Sequence, residues 1–133
     1  EVLREGGDVA LWALGDMIPT ASAAAEMLNT KGIEAGIVNP RFIKPLDREL
    51  LVRHAKQYKA IATLENGVVT GGFGSGIREL LAAEGLTVPV MTFGWPDAFV
   101  PHGTPAQLIE QYGLTAEAVA DRIATVLGRQ GGS

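Results

Sequence analysis

Apolar positions along this chain switch repeatedly between a strand-like and a helix-like period, and that alternation predicts an α/β domain. Val9 to Leu14 (VALWAL) reads as a buried strand. Val2 and Leu3 make a short apolar start and Gly6-Gly7 can turn, which predicts an opening hairpin with the first strand antiparallel to the next. After Gly15, the residues Ala21, Ala24, Ala25 and Leu28 fall at i, i+3, i+4 and i+7 of a helix. Its mostly alanine face can sit close to a sheet, and Gly32 after Lys31 suits the left-handed cap position. Ile33 to Val38 reads as a strand stopped by Asn39-Pro40. Asp47 is a good N-cap for a helix carrying Leu50, Leu51, His54, Ala55 and Tyr58 in one stripe. Ala60 to Leu64 then reads as a third parallel-type strand with Glu65 and Asn66 at its carboxyl end. A glycine-rich stretch, Gly67 to Gly76, opens a helix with Ile77, Leu80 and Leu81 that stops at Gly85, and Val88 to Phe93 is the last strand. A longer loop, Gly94 to Gly103, leads through Thr104-Pro105 into a short helix ending at Tyr112. Thr115 caps a final helix with Val119, Ile123, Val126 and Leu127 on one side. No repeat and no linker divides the chain, so one domain is expected over residues 1–128, with a flexible tail at 129–133.

Composition narrows the function classes. The 133 residues are 47% hydrophobic and 20% charged, which suits one domain with its own core. Fifteen acidic against eleven basic residues give a net charge of −4, leaving no basic surplus for a phosphate backbone, so nucleic-acid binding is not expected. With no cysteine there are no disulfides, thiolate nucleophiles or zinc-thiolate sites. No apolar run reaches the length of a membrane span. Glu1 to Gly7 lack the apolar core of a signal peptide, so a cytoplasmic protein without membrane contact is expected.

Several constellations carry possible chemistry. Gly71-Gly72-Phe73-Gly74-Ser75-Gly76 lies between a strand and a helix, where free N–H groups favour an anion. The spacing is neither G-x-G-x-x-G nor a phosphate loop, and Ser75 is not in a G-x-S-x-G elbow, so a tight turn with close helix–sheet packing is the favoured reading. Glu65 and Asn66 end a strand where open α/β sheets bind ligands. There Glu65 can bind a cofactor, bridge a subunit interface, or cap the glycine-rich helix with its charge. His54, on an apolar helical stripe, reads as a satisfied core histidine, whereas His102 shares a loop with Asp97 and is a candidate for touching a ligand or partner chain. Arg41, Lys44 and Arg48 can hold a phosphate but suit a solvated face. Asp16 invites comparison with a phospho-acceptor domain, which fails because the third strand ends in Glu65 without the needed aspartate. No metal set and no complete catalytic set can be assembled.

Three blocks, in order, carry a resemblance. Asn39-Pro-Arg-Phe-Ile-Lys-Pro-Leu-Asp47, Thr63-Leu-Glu-Asn-Gly67 leading into Gly71-Gly-Phe-Gly-Ser-Gly76, and Gly94-Trp-Pro-Asp-Ala-Phe-Val-Pro-His-Gly103 closely resemble the C-terminal domain of the 1-deoxy-D-xylulose-5-phosphate synthase family. The glycine block is shared with other transketolase-like enzymes, including 2-oxoacid dehydrogenase β subunits, while the last block points to the synthase. The resemblance implies a three-layer α/β/α sandwich with a five-stranded, mostly parallel mixed sheet whose first strand is antiparallel. It implies a full enzyme that condenses pyruvate with glyceraldehyde 3-phosphate, releasing CO₂, with thiamine diphosphate and Mg²⁺, towards isoprenoids, thiamine and pyridoxal. The family holds that cofactor in N-terminal and middle domains, through a Gly-Asp-Gly…Asn motif and a glutamate. Gly15-Asp16-Met17 lacks the second glycine. The chain alone is therefore expected to bind no cofactor or metal, to supply no catalytic residue and to lack synthase activity. Its implied role is to support a homodimer and to pack against the cofactor-binding domains. Glu65, Asn66, Gly72, Gly74, Ser75, Asp97 and His102 are the interface or ligand-proximal candidates. A free-standing anion-binding or small-ligand α/β domain is the alternative, as is the equivalent domain of a dehydrogenase β subunit or transketolase.

Overall fold

The computed structural model describes residues 2–4, 6–13, 17–39, 48–65, 73–94 and 114–131. In chain order the elements are β1 (Val2–Arg4), β2 (Val9–Ala13), α1 (Ile18–Thr30), β3 (Ala35–Val38), α2 (Arg48–Gln57), β4 (Ala60–Leu64), α3 (Phe73–Ala83), β5 (Val90–Phe93) and α4 (Ala116–Gly131). The strands form one sheet in the order β1-β3-β2-β4-β5. All neighbours are parallel except β1, which runs antiparallel to β3. Helices cover both faces, giving the α/β/α sandwich expected. The expected helix over 104–112, the Asp47 cap and Asp16 lie outside the described residues.

Alternation along the strands divides the core into two layers. Val9, Leu11, Ala13, Ile37, Ala62, Leu64 and Phe93 face α1 and α4, together with the α1 stripe Ala21, Ala24, Ala25 and Leu28. Ala10, Trp12, Val38 and Ile61 face the other way, onto Leu50, Leu51 and Tyr58 of the α2 segment and Ile77 and Leu81 of α3. Every residue of β2 is buried, which is why its sequence reads as an unbroken apolar run.

Helix ends obey local chemistry. Gly32 and Gly85 have φ of +79° and +73°, a backbone state that costs a glycine little. At each, the next residue donates back across the turn: Ile33 N–H to the Leu28 carbonyl at 3.0 Å and Leu86 N–H to the Leu81 carbonyl at 2.9 Å. Gly32 and Gly85 themselves donate to Asn29 and Ala82, so both helices close with the six-residue paired-bond cap. Thr115 caps α4 as expected, its Oγ1 accepting the Ala118 N–H at 3.2 Å. The helical backbone of α4 runs through Arg129 to Gly131.

The hairpin expectation is corrected. β1 does pair antiparallel, but with β3 rather than β2, because β2 already bonds a parallel strand on each side. Gly6-Gly7 therefore serves a crossing over the start of β3. A Cβ on Gly6 would lie 2.7 Å from the Ala35 carbonyl carbon, so only glycine lets the backbones meet there. Asp8 pins the crossing: its carboxylate accepts the Glu34 N–H at 2.7 Å and pairs with Lys59 at 3.3 Å.

Within the α2 layer a polar chain runs through the core. Trp12 Nε1–H donates to His54 Nδ1 at 3.1 Å, which requires a neutral imidazole with its proton on Nε2. His54 meets Tyr58 edge-on at 4.9 Å, and the Tyr58 hydroxyl accepts the Gly6 N–H at 3.1 Å. His54 is thus the satisfied core histidine its helical position suggested. Trp12→Phe removes the N–H that Nδ1 accepts and opens a small cavity, so unfolding free energy is expected to fall by about 2–4 kcal/mol, read from urea melts. Asp8→Ala, at a half-exposed site, is expected to cost about 1 kcal/mol in the same assay.

Candidate functional site

The four parallel strands end on one side of the domain, the edge where open α/β sheets meet ligands and partner surfaces. Glu65 extends β4 there, its N–H donating to the Phe93 carbonyl at 2.9 Å. Its side chain turns onto α3, where one carboxylate oxygen accepts the Gly74 N–H at 3.2 Å. Gly74 is the second residue of α3, so this bond satisfies an N–H that the helix cannot, and it sets a negative charge at the positive end of the helix dipole. Gly94, just after β5, closes the other side, since a Cβ there would lie 2.8 Å from Glu65 Cγ. Of the three roles open to Glu65 on sequence, the helix cap is the one this geometry contains.

Below the carboxylate, α3 rests directly on the sheet. Thr63 and Thr92 are cross-strand partners in β4 and β5. A Cβ on Gly74 would lie 2.5 Å from Thr92 Cγ2 and 3.0 Å from Thr63 Oγ1. The glycine thus lets the helix approach at a distance no side chain allows, which is the packing role favoured for this block. Thr63 is fully buried and its hydroxyl has no hydrogen-bond partner among the described residues, a polar group under the first turn of the helix. Sequence reasoning missed the Thr63–Thr92 floor and the role of Gly94. The available signal was threonine at matching positions of adjacent strands, and a glycine directly after the second.

The structure therefore brings Glu65 and Gly74 together, with Ser75 following in the same helical turn. Asn66, Gly72, Asp97 and His102 lie outside the described residues, as do Arg41 and Lys44 of the basic cluster. Arg48, at the start of α2, pairs with Glu84 just past the end of α3.

Thiamine diphosphate and Mg²⁺ do not fit the described residues. The helix start that would receive a diphosphate already carries the Glu65 carboxylate, and like charges repel across so short a distance. Among the described residues no three His, Asp or Glu side chains converge to hold a metal ion, and no helix is long and apolar enough to cross a membrane.

Gly74→Val is expected to lower stability by about 2–4 kcal/mol, because its side chain must displace both threonines or lift α3. Adding Thr92→Ser removes the methyl at 2.5 Å and is expected to restore part of that loss, read as a non-additive double-mutant cycle in thermal melts. Glu65→Gln keeps an acceptor but removes the charge, and is expected to cost about 0.3–1 kcal/mol.

Comparison with known proteins agrees with this architecture. Residues 1–119 match the family model described as Transketolase, C-terminal domain. The chain is 52% identical over 120 residues to a 1-deoxy-D-xylulose-5-phosphate synthase of Desulforudis audaxviator, covering 90% of the chain and 19% of that protein. It is 49% identical over 129 residues to the synthase of Symbiobacterium thermophilum, covering 97% of the chain and 20% of that protein. The chain thus spans about a fifth of the curated relatives' length. A solved structure described as a split gene transketolase, inactive β4 tetramer, superposes with a TM-score of 0.85 at 43% identity, covering 96% of the chain and 41% of its own. A Pichia stipitis transketolase shares the fold at a TM-score of 0.67 and 21% identity, over 100% of the chain and 18% of its own. Matched by the family model over nearly its whole length, and built as the sheet with an antiparallel first strand that the resemblance implied, this chain belongs to the transketolase C-terminal domain family.

Proposed function

We propose that this chain serves as the C-terminal domain of a 1-deoxy-D-xylulose-5-phosphate synthase, and that it has no synthase activity by itself. The observation that carries the reading is identity of about half the residues, along 90–97% of the chain, to proteins of that name. In the full enzyme, pyruvate and glyceraldehyde 3-phosphate are joined with loss of CO₂, in the cytoplasm, on thiamine diphosphate and Mg²⁺ held by other domains. The cofactor supplies the carbanion chemistry, and the protein around it must orient it in a dry cleft. This chain's share is rigidity. Residues 1–128 form the working unit. The Glu65–Gly74 edge, with Ser75, Asn66 and Gly72, and the segment from Asp97 to His102, are the surfaces that meet the cofactor-binding domains and the second subunit.

Two observations support a supporting rather than catalytic role. At the carboxyl edge Glu65 is bonded within the domain, its carboxylate to α3 and its N–H to β5. The 43% identical split gene relative is described as an inactive β4 tetramer, which favours self-association without activity for a chain of this type. The alternative of a free-standing anion-binding domain is disfavoured by the carboxylate of Glu65 on the helix start.

The test is thiamine-diphosphate-dependent CO₂ release from pyruvate plus glyceraldehyde 3-phosphate, using this chain, the complementary N-terminal fragment, and both mixed. Activity is expected only in the mixture; activity in this chain alone would refute the reading. In the reconstituted enzyme His102→Ala is expected to weaken assembly, with kcat recovering at saturating fragment concentration. A selective fall in kcat at unchanged assembly and Tm would instead make His102 part of the chemistry.

A further inference from the structure

The sheet ends on one side at β5, beyond which no strand lies among the described residues. Pro89 and Phe93 turn their carbonyls towards β4, accepting the Ile61 and Glu65 N–H groups at 2.9 Å each. Alternation along a strand sends the carbonyls of Val90 and Thr92 the opposite way, outward from the sheet. Such a row of outward groups is a template on which another strand can add. Both carbonyls are instead occupied by arginine. Arg78, from α3, donates to the Val90 carbonyl at 2.8 Å. Arg122, from α4, donates to the Thr92 carbonyl at 3.3 Å and is steadied over the Phe93 ring at 5.0 Å. The two side chains reach the edge from opposite helical layers, on alternate residues, so they close it from above and below. At the far edge, β1 is three residues long, and its register with β3 is irregular between Val2 and Arg4.

We infer that Arg78 and Arg122 guard the β5 edge against pairing with β5 of a second copy of this chain. Each guanidinium satisfies a carbonyl that a neighbouring strand needs as acceptor, and it places a positive charge where a second copy would bring its own, so approach of two β5 edges is opposed twice. A charged edge is one device by which sheets avoid such pairing, and β5 carries it. The inference goes beyond the proposed function and does not rest on it. It excludes a seam of β5 against β5 from any assembly of copies.

The experiment uses the whole chain and five variants: Arg78→Ala, Arg122→Ala, the two together, the same pair with Thr92→Pro, and Arg78→Lys/Arg122→Lys. Self-association is read by sedimentation velocity over a concentration series, and intermolecular sheet by its amide I infrared band. Freeing a carbonyl to accept a backbone N–H is expected to strengthen association about fivefold, so the double alanine variant is expected to gain more than tenfold, together with the intermolecular band. Thr92 N–H points outward, so proline there removes an edge donor without breaking a bond to β4; it is expected to return the variant to wild-type behaviour. The lysine pair keeps a donor and a charge on each carbonyl and is expected to match wild type. The proposal is overturned if the alanine pair associates as wild type does, or if its association survives Thr92→Pro. The single alanine variants perturb the fold least and are expected at about fivefold each; no shift in either also overturns it.

Discussion

A strand with water on neither side admits a polar side chain only if a neighbouring element delivers its partner, and β2 lives under that constraint. All five of its residues are buried, yet Trp12 carries an N–H into the α2 layer. An unbonded indole N–H there costs on the order of 1–3 kcal/mol. His54 removes that cost, and in doing so sets the rotation of α2 over the sheet. Tyr58, one turn further on, then reaches the Gly6 N–H, where the chain crosses the start of β3. A single buried donor thus ties the central strand, one helix and the entry of the antiparallel edge strand into one arrangement.

The same economy operates at the carboxyl edge. Gly74 brings α3 so close to Thr63 and Thr92 that the first turn of the helix is sealed against solvent on the sheet side. Its N–H groups still need an acceptor. Glu65 provides one from the adjacent strand end, and Gly94 leaves the room for it. Each glycine here answers a distance in the structure, one beneath a helix and one beside a carboxylate, and neither has positive φ.

What could be read from sequence follows from the range of the forces involved. Element types were legible because each strand and helix separates apolar from polar positions by its own period, and Gly32 and Gly85 marked helix ends through purely local geometry. Gly6-Gly7 misled for the same reason: a glycine pair announces that the backbone is free to bend, while the choice of β3 as partner for β1 depends on β2 being occupied on both sides. The Trp12–His54 bond joins residues 42 positions apart. Nothing local distinguishes it from two apolar residues on two stripes, although the apolar setting of His54 was visible. At the candidate site, Glu65 was placed at a strand end by pattern, and the glycine block was placed before a helix. That the carboxylate and the helix meet follows only once β4 and α3 are packed, because α3 must fold back over the strand that precedes it.

The carboxylate on α3 also bears on what the carboxyl edge of this sheet can receive. An anion site at a helix start works because its N–H groups are unsatisfied until the ligand arrives. Here an internal carboxylate meets the Gly74 N–H in advance, so the helix dipole is spent on the domain's own cohesion. The first turn of α3 is thereby held by the strand end of its own domain, and Gly74 keeps it on the sheet beneath.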